Sequence, residues 1–229
     1  MVVMVTGAGK GIGFETVISF LESDSNIKVI ALSRNVSQLM DIQHDNLIVV
    51  KSDLMKITES EIEQIFIDNN LSQLDILINN AAQLINKSFD DLSVDEFRYM
   101  FEINFFSQIK LIKVCMPFLL SAQSAHVLNI SSMGAMQGSQ KFPGLSAYSS
   151  SKAALTTLTE CLAEEFKDKS IRFNCLALGS VNTEMLNQAF PNYKASTSPR
   201  QMADFIEQFS SQLPNIINGK IIPVSVSTP

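Results

Sequence analysis

The sequence predicts an α/β protein built as one doubly wound parallel sheet of about seven strands with helices on both faces. Three observations predict it. Short apolar runs of strand length alternate with segments of helical periodicity along the whole chain. A Gly-rich turn follows the first apolar run directly and opens into a helical pattern. The 229 residues, 46% hydrophobic and 17% charged, suit one globular domain with a sizeable core.

Each element follows from local pattern. Val2–Val5 reads as a buried strand, Ile12–Leu21 as a helix and Lys28–Leu32 as the second strand. A short helix at Val36–Met40 precedes a third strand, Leu47–Val50. Glu59–Asn69 is helical and Leu74–Ile78 is the fourth strand. Ser93–Leu120 reads as one long helix or two in succession, and Ser93 with Glu96 forms a capping box at its start. Val127–Ile130 is the fifth strand, Ala147–Phe166 a long helix and Arg172–Leu176 the sixth strand. An irregular stretch, Asn182–Ser198, is the expected substrate loop. A helix near Gln201–Gln212 and a strand at Lys220–Val226 complete the domain, which spans residues 1–229 without repeat or linker.

Composition narrows the function. A formal net charge of -6 offers no general attraction for nucleic acid or anionic membrane, and no apolar run appears long enough to span a bilayer. Met1–Val5 is too short for a signal peptide. Cys115, Cys161 and Cys175 lie in apolar stretches without metal-ligand spacing, so they read as buried free thiols, which suits the cytoplasm. No metal site is expected. His44 and His126 have no acid or serine arranged around them, which leaves hydrolase chemistry unsupported; His126 reads as a capping or interface residue.

Thr6-Gly7-Ala8-Gly9-Lys10-Gly11-Ile12-Gly13 joins the first strand to the first helix. Glycines allow a tight turn and close approach of a cofactor. The helix N-terminus presents free N–H groups to a pyrophosphate. This is the strand–turn–helix context of a dinucleotide-binding Rossmann fold. The second strand ends at Ser33 and Arg34, where an acidic residue would bind the ribose hydroxyls of NAD. A guanidinium there can fork onto a 2′-phosphate, with Lys10 adding a second charge, which favours NADP(H). Asp53, beside Leu54, and Asn79-Asn80-Ala81-Ala82 stand at strand ends beside the same groove, although Asp and Asn also serve ordinary turns there.

Tyr148 and Lys152 are four residues apart at a helix start and share a face. Hydride transfer to a carbonyl needs a proton donor, and a nearby ammonium is expected to lower the phenol pKa. Ser132 can hydrogen-bond a carbonyl beside them, with Ser131 its rival by adjacency. Asn104, a polar residue between apolar ones, needs either a bend with an ordered water or a core hydrogen bond.

With these residues in place the chain resembles the short-chain dehydrogenase/reductase family from Val2 to about Pro223. Thr6-Gly7-x-x-x-Gly11-x-Gly13 resembles the family's TGxxxGxG loop, Asp53 its adenine-contacting aspartate and Asn79-Asn80-Ala81-Ala82 its NNAG. Asn104, Ser132, Tyr148 and Lys152 match its catalytic tetrad, and Gly179, Val181 and Thr183 its PGxVxT segment. The resemblance implies Tyr148 as acid/base and Lys152 as its pKa-lowering, ribose-binding partner. It implies that Ser132 orients substrate, that Asn104 holds a relay water, and that Val181 and Thr183 lie against the nicotinamide carboxamide or pyrophosphate. It implies a carbonyl or secondary-alcohol substrate, and a homotetramer or homodimer with the helices around Asn104 and Tyr148 in the interface.

The departures are Ala82 for the last glycine of NNAG, Leu178 for a proline, and a longer Ser132–Tyr148 segment that includes Gln137 to Phe142. The ending, Val224 to Pro229, lacks the usual Gly-Gly. Gln83, Met133, Phe142, Met185 and Leu186 are candidates for a partly apolar substrate pocket. A binding protein that senses NADP(H) without turnover is the rival reading; the complete set of four catalytic-type residues weighs against it.

Overall fold

The computed structural model describes residues 1–212 and 216–226. Residues 227–229, part of the ending without Gly-Gly, lie outside the described residues. The chain runs β1 (Val2–Thr6), α1 (Gly11–Ser23), β2 (Lys28–Ser33), α2 (Ser37–Met40), β3 (Leu47–Lys51), α3 (Glu59–Asp68) and β4 (Ile76–Asn79). It continues through α4 (Val94–Phe101), a π-helical turn (Glu102–Phe106), α5 (Ser107–Ser121), β5 (Ala125–Ser132) and a 3₁₀ turn (Met133–Ala135). Then come α6 (Ser146–Glu165), β6 (Ile171–Leu178), α7 (Glu184–Ala189), α8 (Pro199–Gln212) and β7 (Ile221–Val224).

The seven strands form one parallel sheet in the order β3-β2-β1-β4-β5-β6-β7. The apolar runs are continuous because both faces are covered. Side chains alternate between two cores, as the period of two requires. Val3, Val5, Val29 and Ala31 face α1 and α8, meeting Val17, Phe20, Ile206 and Phe209. Val2, Met4, Ile30 and Leu32 face α3 and α5, meeting Ile62, Phe66, Leu111 and Leu119. The strand order reverses between β1 and β4, so their carboxyl ends open a crevice where such sheets take ligands.

Several expectations change. The fifth strand extends at both ends and includes Ser131 and Ser132, two polar residues that read locally as loop. His126 is therefore inside β5, not before it. It is buried, its Nε2 lies 3.2 Å from Asn174 Nδ2, and burial pushes its pKa down to about 4, so it serves neither as a cap nor as an exposed interface residue. The irregular stretch after Asn182 contains α7, capped by Thr183, whose hydroxyl accepts from Leu186 N at 3.2 Å. Cys115 and Cys175 are buried thiols, but Cys161 is exposed. The segment Val94–Ser121 is one continuous helical stretch, long and apolar enough by length and composition to cross a membrane, contrary to the expectation from run length. Its residues Leu111, Ile112, Cys115 and Leu119 are buried in the second core.

The capping box at α4 forms as expected. Ser93 N donates to Glu96 Oε2 at 2.7 Å and Glu96 N donates to Ser93 Oγ at 3.2 Å. Ala82 is not among the residues of positive φ, so its backbone does not call for a glycine. Leu178 continues β6 between Ser132 and Val224, and Gly179 N donates to Val224 O at 2.8 Å. The loss of proline thus leaves that turn fastened to the sheet rather than loosened.

Candidate active site

The loop from Thr6 to Gly13 is shaped by its own backbone. Gly7 and Gly11 adopt φ of +64° and +58°, where side-chain-bearing residues are strained. A Cβ on Gly13 would collide with Gly7 O, and one on Gly9 with Asn35 O and Ser33 Oγ. Thr6 Oγ1 accepts from Asn80 N and Ala81 N, both at 3.0 Å, and donates to Ile78 O at 3.2 Å. Asn80 Nδ2 donates to Thr6 O at 2.9 Å. Asn80 and Ala81 thereby brace the loop across the β1–β4 crevice.

Helix α1 starts without a capping side-chain hydrogen bond and without an acidic residue in its first turn. Its first N–H groups and dipole are left for an anion, and this uncapped start beside a glycine turn fits a dinucleotide pyrophosphate. Ser33 ends β2 beside Gly9. Arg34 is exposed and makes no ion pair or hydrogen bond among the described residues. Asp53 Oδ1 accepts from Met55 N at 3.1 Å, and Leu54 packs partly buried on the second core. Val181 is buried in the first core, and Thr183 lies across from Gly11, 3.5 Å from where a Cβ there would stand.

Ser132, Tyr148 and Lys152 meet at the carboxyl end of β5. Ser132 Oγ accepts from Gly134 N at 3.2 Å, which fixes the hydroxyl oxygen and leaves its proton to turn outward. Tyr148 is half-buried on the first turn of α6. Burial pushes its pKa up to about 12, against a hydrogen bond with Ser132 that pulls it down. Lys152 lies one turn on and is only 1% exposed. Its Nζ donates to Ile130 O at 2.7 Å. Burial draws the lysine down to about 8, opposed by the nearby Cys175 thiol, which is itself held up to about 12 by burial. For the tyrosine, burial outweighs the Ser132 hydrogen bond, so its phenol stands above its usual value.

Asn104 sits in the π turn, buried, between β4 and α6. Its Oδ1 accepts from Gln83 N at 2.8 Å, and its Nδ2 donates to Gln83 O at 2.9 Å and to Ser151 Oγ at 3.0 Å. Ser151 Oγ donates in turn to Tyr148 O at 2.8 Å. The core hydrogen bonds of the second alternative therefore form, in a helix locally distorted by the π turn. Gln108 Nε2 donates to Ile103 O at 3.3 Å, a carbonyl in the distorted turn, and to Ala81 O at 2.9 Å.

Sequence reasoning missed Ser151, Gln108 and the positioning part of Ser131. Ser131 Oγ donates to Lys152 O at 3.1 Å and pins α6 at the lysine. A serine inside an apolar helix face is a faint signal for Ser151. Asn79 Nδ2 donates to Asn129 Oδ1 at 2.8 Å, and Asn129 Nδ2 to Thr159 Oγ1 at 2.9 Å, a buried ladder under the same helix. Asn79 Oδ1, Ser107 Oγ and Gln108 Oε1 are buried without a partner among the described residues.

Phe142 lines a cavity of about 780 Å³ together with Asn86, Phe89 and Lys141. Gln83, Met133, Met185 and Leu186 do not line it, nor do Tyr148 and Ser132. The inserted loop folds back on itself, with Lys141 Nζ donating to Met136 O and Ser139 Oγ.

A glycine-turned helix start at a sheet's reversal point, facing a tyrosine and a buried lysine, defines an α/β oxidoreductase of the dinucleotide-binding class. The family model for short chain dehydrogenases matches residues 1–194, and the chain belongs to that family. An uncharacterised oxidoreductase of Staphylococcus saprophyticus is 32% identical over 192 residues, covering 80% of this chain and 75% of its own. The solved structure of a 4-hydroxyisoleucine dehydrogenase complexed with NADH is 28% identical, covers 98% of this chain and 96% of its own, and superposes with a TM-score of 0.83. A Shigella flexneri chain assigned as a short chain dehydrogenase and solved with NADP, 22% identical, covers 97% of this chain and 95% of its own at a TM-score of 0.85 and shares the fold.

Proposed function

We propose that this protein is an NADP(H)-dependent oxidoreductase acting between a carbonyl and a secondary alcohol. The observation that carries the reading is the meeting of Tyr148, Ser132 and buried Lys152 at the carboxyl end of β5, two strands along the sheet from β1, which runs into the glycine loop. When bound, the nicotinamide supplies or takes the hydride. The chain's residues do the rest. Gly7, Gly11, Ile12 and Gly13, with the start of α1, hold the pyrophosphate, while Ser33, Arg34 and Lys10 meet the 2′-phosphate. Asp53, Leu54, Asn80 and Ala81 line the adenosine side; Val181 and Thr183 meet the carboxamide side.

Ser132 donates a hydrogen bond to the carbonyl oxygen, keeping its own proton, and sets that oxygen beside Tyr148. Tyr148 then gives its phenolic proton to that oxygen as charge develops. The phenol is protonated at neutral pH and so has a proton to give, while the burial that holds it up to about 12 makes it the weaker acid. Lys152 uses one of its three donors on Ile130 O, leaving others for the nicotinamide ribose. Asn104 acts behind them by tying α6 to the π turn through Ser151.

The proposed location is the cytoplasm, in keeping with the free thiols. The proposed assembly is a homodimer or homotetramer through the helices around Asn104 and Tyr148. Exposed Val94 and Phe106 and an apolar groove of about 410 Å³ between them support that face. Tyr148→Phe tests the reaction. Carbonyl-dependent NADPH consumption, first located with a panel of ketones and aldehydes, should fall by about 10²–10⁴-fold with NADPH affinity retained. Near-normal turnover overturns the role of Tyr148. NADPH binding by the wild-type chain without consumption across the panel turns the reading toward a sensor.

A further inference from the structure

Lys10 is expected to face a 2′-phosphate, yet its Nζ lies 2.8 Å from Glu184 Oε2, on an element 174 residues away. The two neighbours of Lys10 locate it. Gly9 is wedged against Ser33 and Asn35, on the Arg34 side of the crevice. Gly11 faces Thr183, the residue just before Glu184. The lysine stem therefore stands on the rim between the phosphate corner and the start of α7, within swing of both.

The pair is weak by nature. Its side chains are 53% and 60% exposed, and water competes for both charges. A phosphate dianion, already facing Arg34, offers the ammonium more charge than one carboxylate does. Helix α7 has no buried residue, so Glu184 is free to let go without disturbing a core.

We propose that Glu184 is a cofactor-specificity residue: its carboxylate holds Lys10 in the cofactor-free protein and competes with the 2′-phosphate for that ammonium. NADPH must displace Glu184, whereas NADH leaves the pair in place. The cost falls on the phosphorylated cofactor alone and tempers the preference set by Arg34. This rests on the dehydrogenase reading above.

The test is direct binding of each nucleotide, followed by reduced-nicotinamide fluorescence, to four proteins: wild type, Glu184→Gln, Lys10→Ala and the double variant. Glu184→Gln should tighten NADPH by about twofold to fivefold and leave NADH unchanged. Lys10→Ala should weaken NADPH, and adding Glu184→Gln to it should then change little. Equal effects on both nucleotides, no effect on either, or a full Glu184→Gln effect without Lys10 each overturn the proposal. Failure of the wild type to bind either nucleotide overturns the dehydrogenase reading, and this proposal with it.

Discussion

The loop over residues 6–13 is held by backbone atoms and two short side chains, whereas the cluster around Tyr148 is held by buried side chains that titrate or lack partners. At the first, Thr6 and Asn80 satisfy the turn, and the charged groups Lys10 and Arg34 stand in solvent. At the second, Lys152 is buried with its Nζ on Ile130 O, Tyr148 is half-buried with its phenol held up by burial, and Ser146 Oγ, two residues before the tyrosine, is buried without a partner among the described residues. A site that binds by shape needs no buried titratable group. A site that moves protons must bury groups that would rather stay in water, and it carries their desolvation cost in the folded state.

The largest expected effect follows from that cost. Lys152→Met should lower NADPH-dependent turnover by about 10²–10⁴-fold, since it removes a donor and a charge at the reacting end. The same substitution should not unfold the protein. Lys152 titrates near 8 when folded and near 10.5 when free, so below pH 8 the fold carries the cost of burying its proton. Between pH 8 and 10.5 the unfolded chain binds one more proton than the folded one, and stability contributed by this group rises with pH, by about 3 kcal/mol. Denaturation of wild type and Lys152→Met should therefore differ in pH dependence across that window, with the variant lacking the rise. Matching profiles would mean the lysine is not buried charged, and the contrast between the two ends would fail.

A middle-sized effect tests the other end. Gly13→Ala places a Cβ against Gly7 O and Asn80 Nδ2. Such overpacking should cost about 1–3 kcal/mol. The thermal midpoint should drop by several degrees and both nucleotides should bind more weakly, with the pH profile of stability unchanged. Wild-type stability and affinity in this variant would show that the loop is not the rigid, pre-shaped wall described above.

These two ends were unequally legible in the sequence. The glycine loop could be read because its constraints are local: residues 6–13 contain their own turn, and only the brace by Asn80 comes from elsewhere. Tyr148 and Lys152 could be paired because helical spacing is local as well. What holds them could not be read. Ser131 bonds a carbonyl 21 residues away and Asn104 a backbone unit 21 residues before it, and neither leaves a periodic trace. The π turn is equally silent, since one extra residue in a helix leaves the apolar pattern nearly intact. Ser131 and Ser132 shortened the predicted fifth strand because polar residues read as loop until their partners, Lys152 O and Gly134 N, are known. His126 misled for a related reason: its neighbour Asn174 supplies from β6 the polar contact that makes burial tolerable.

The smallest expected effect separates recognition from chemistry most cleanly. Arg34 is exposed, with no partner among the described residues, and follows Ser33 at the end of β2, the corner proposed above for the 2′-phosphate. Arg34→Asp reverses one charge at that corner and gives a carboxylate that can accept from ribose hydroxyls instead. NADPH affinity should fall about tenfold, discounted for solvent exposure, while NADH affinity holds or improves. Turnover at saturating cofactor and its pH profile should stay as in wild type, because Tyr148 and Lys152 are anchored to β5 and α6 and share no side-chain contact with Arg34. Unchanged NADPH affinity would remove Arg34 as the phosphate clamp. A loss of saturated turnover would mean that the two ends are coupled through the groove, and that the division of labour drawn between them is too sharp.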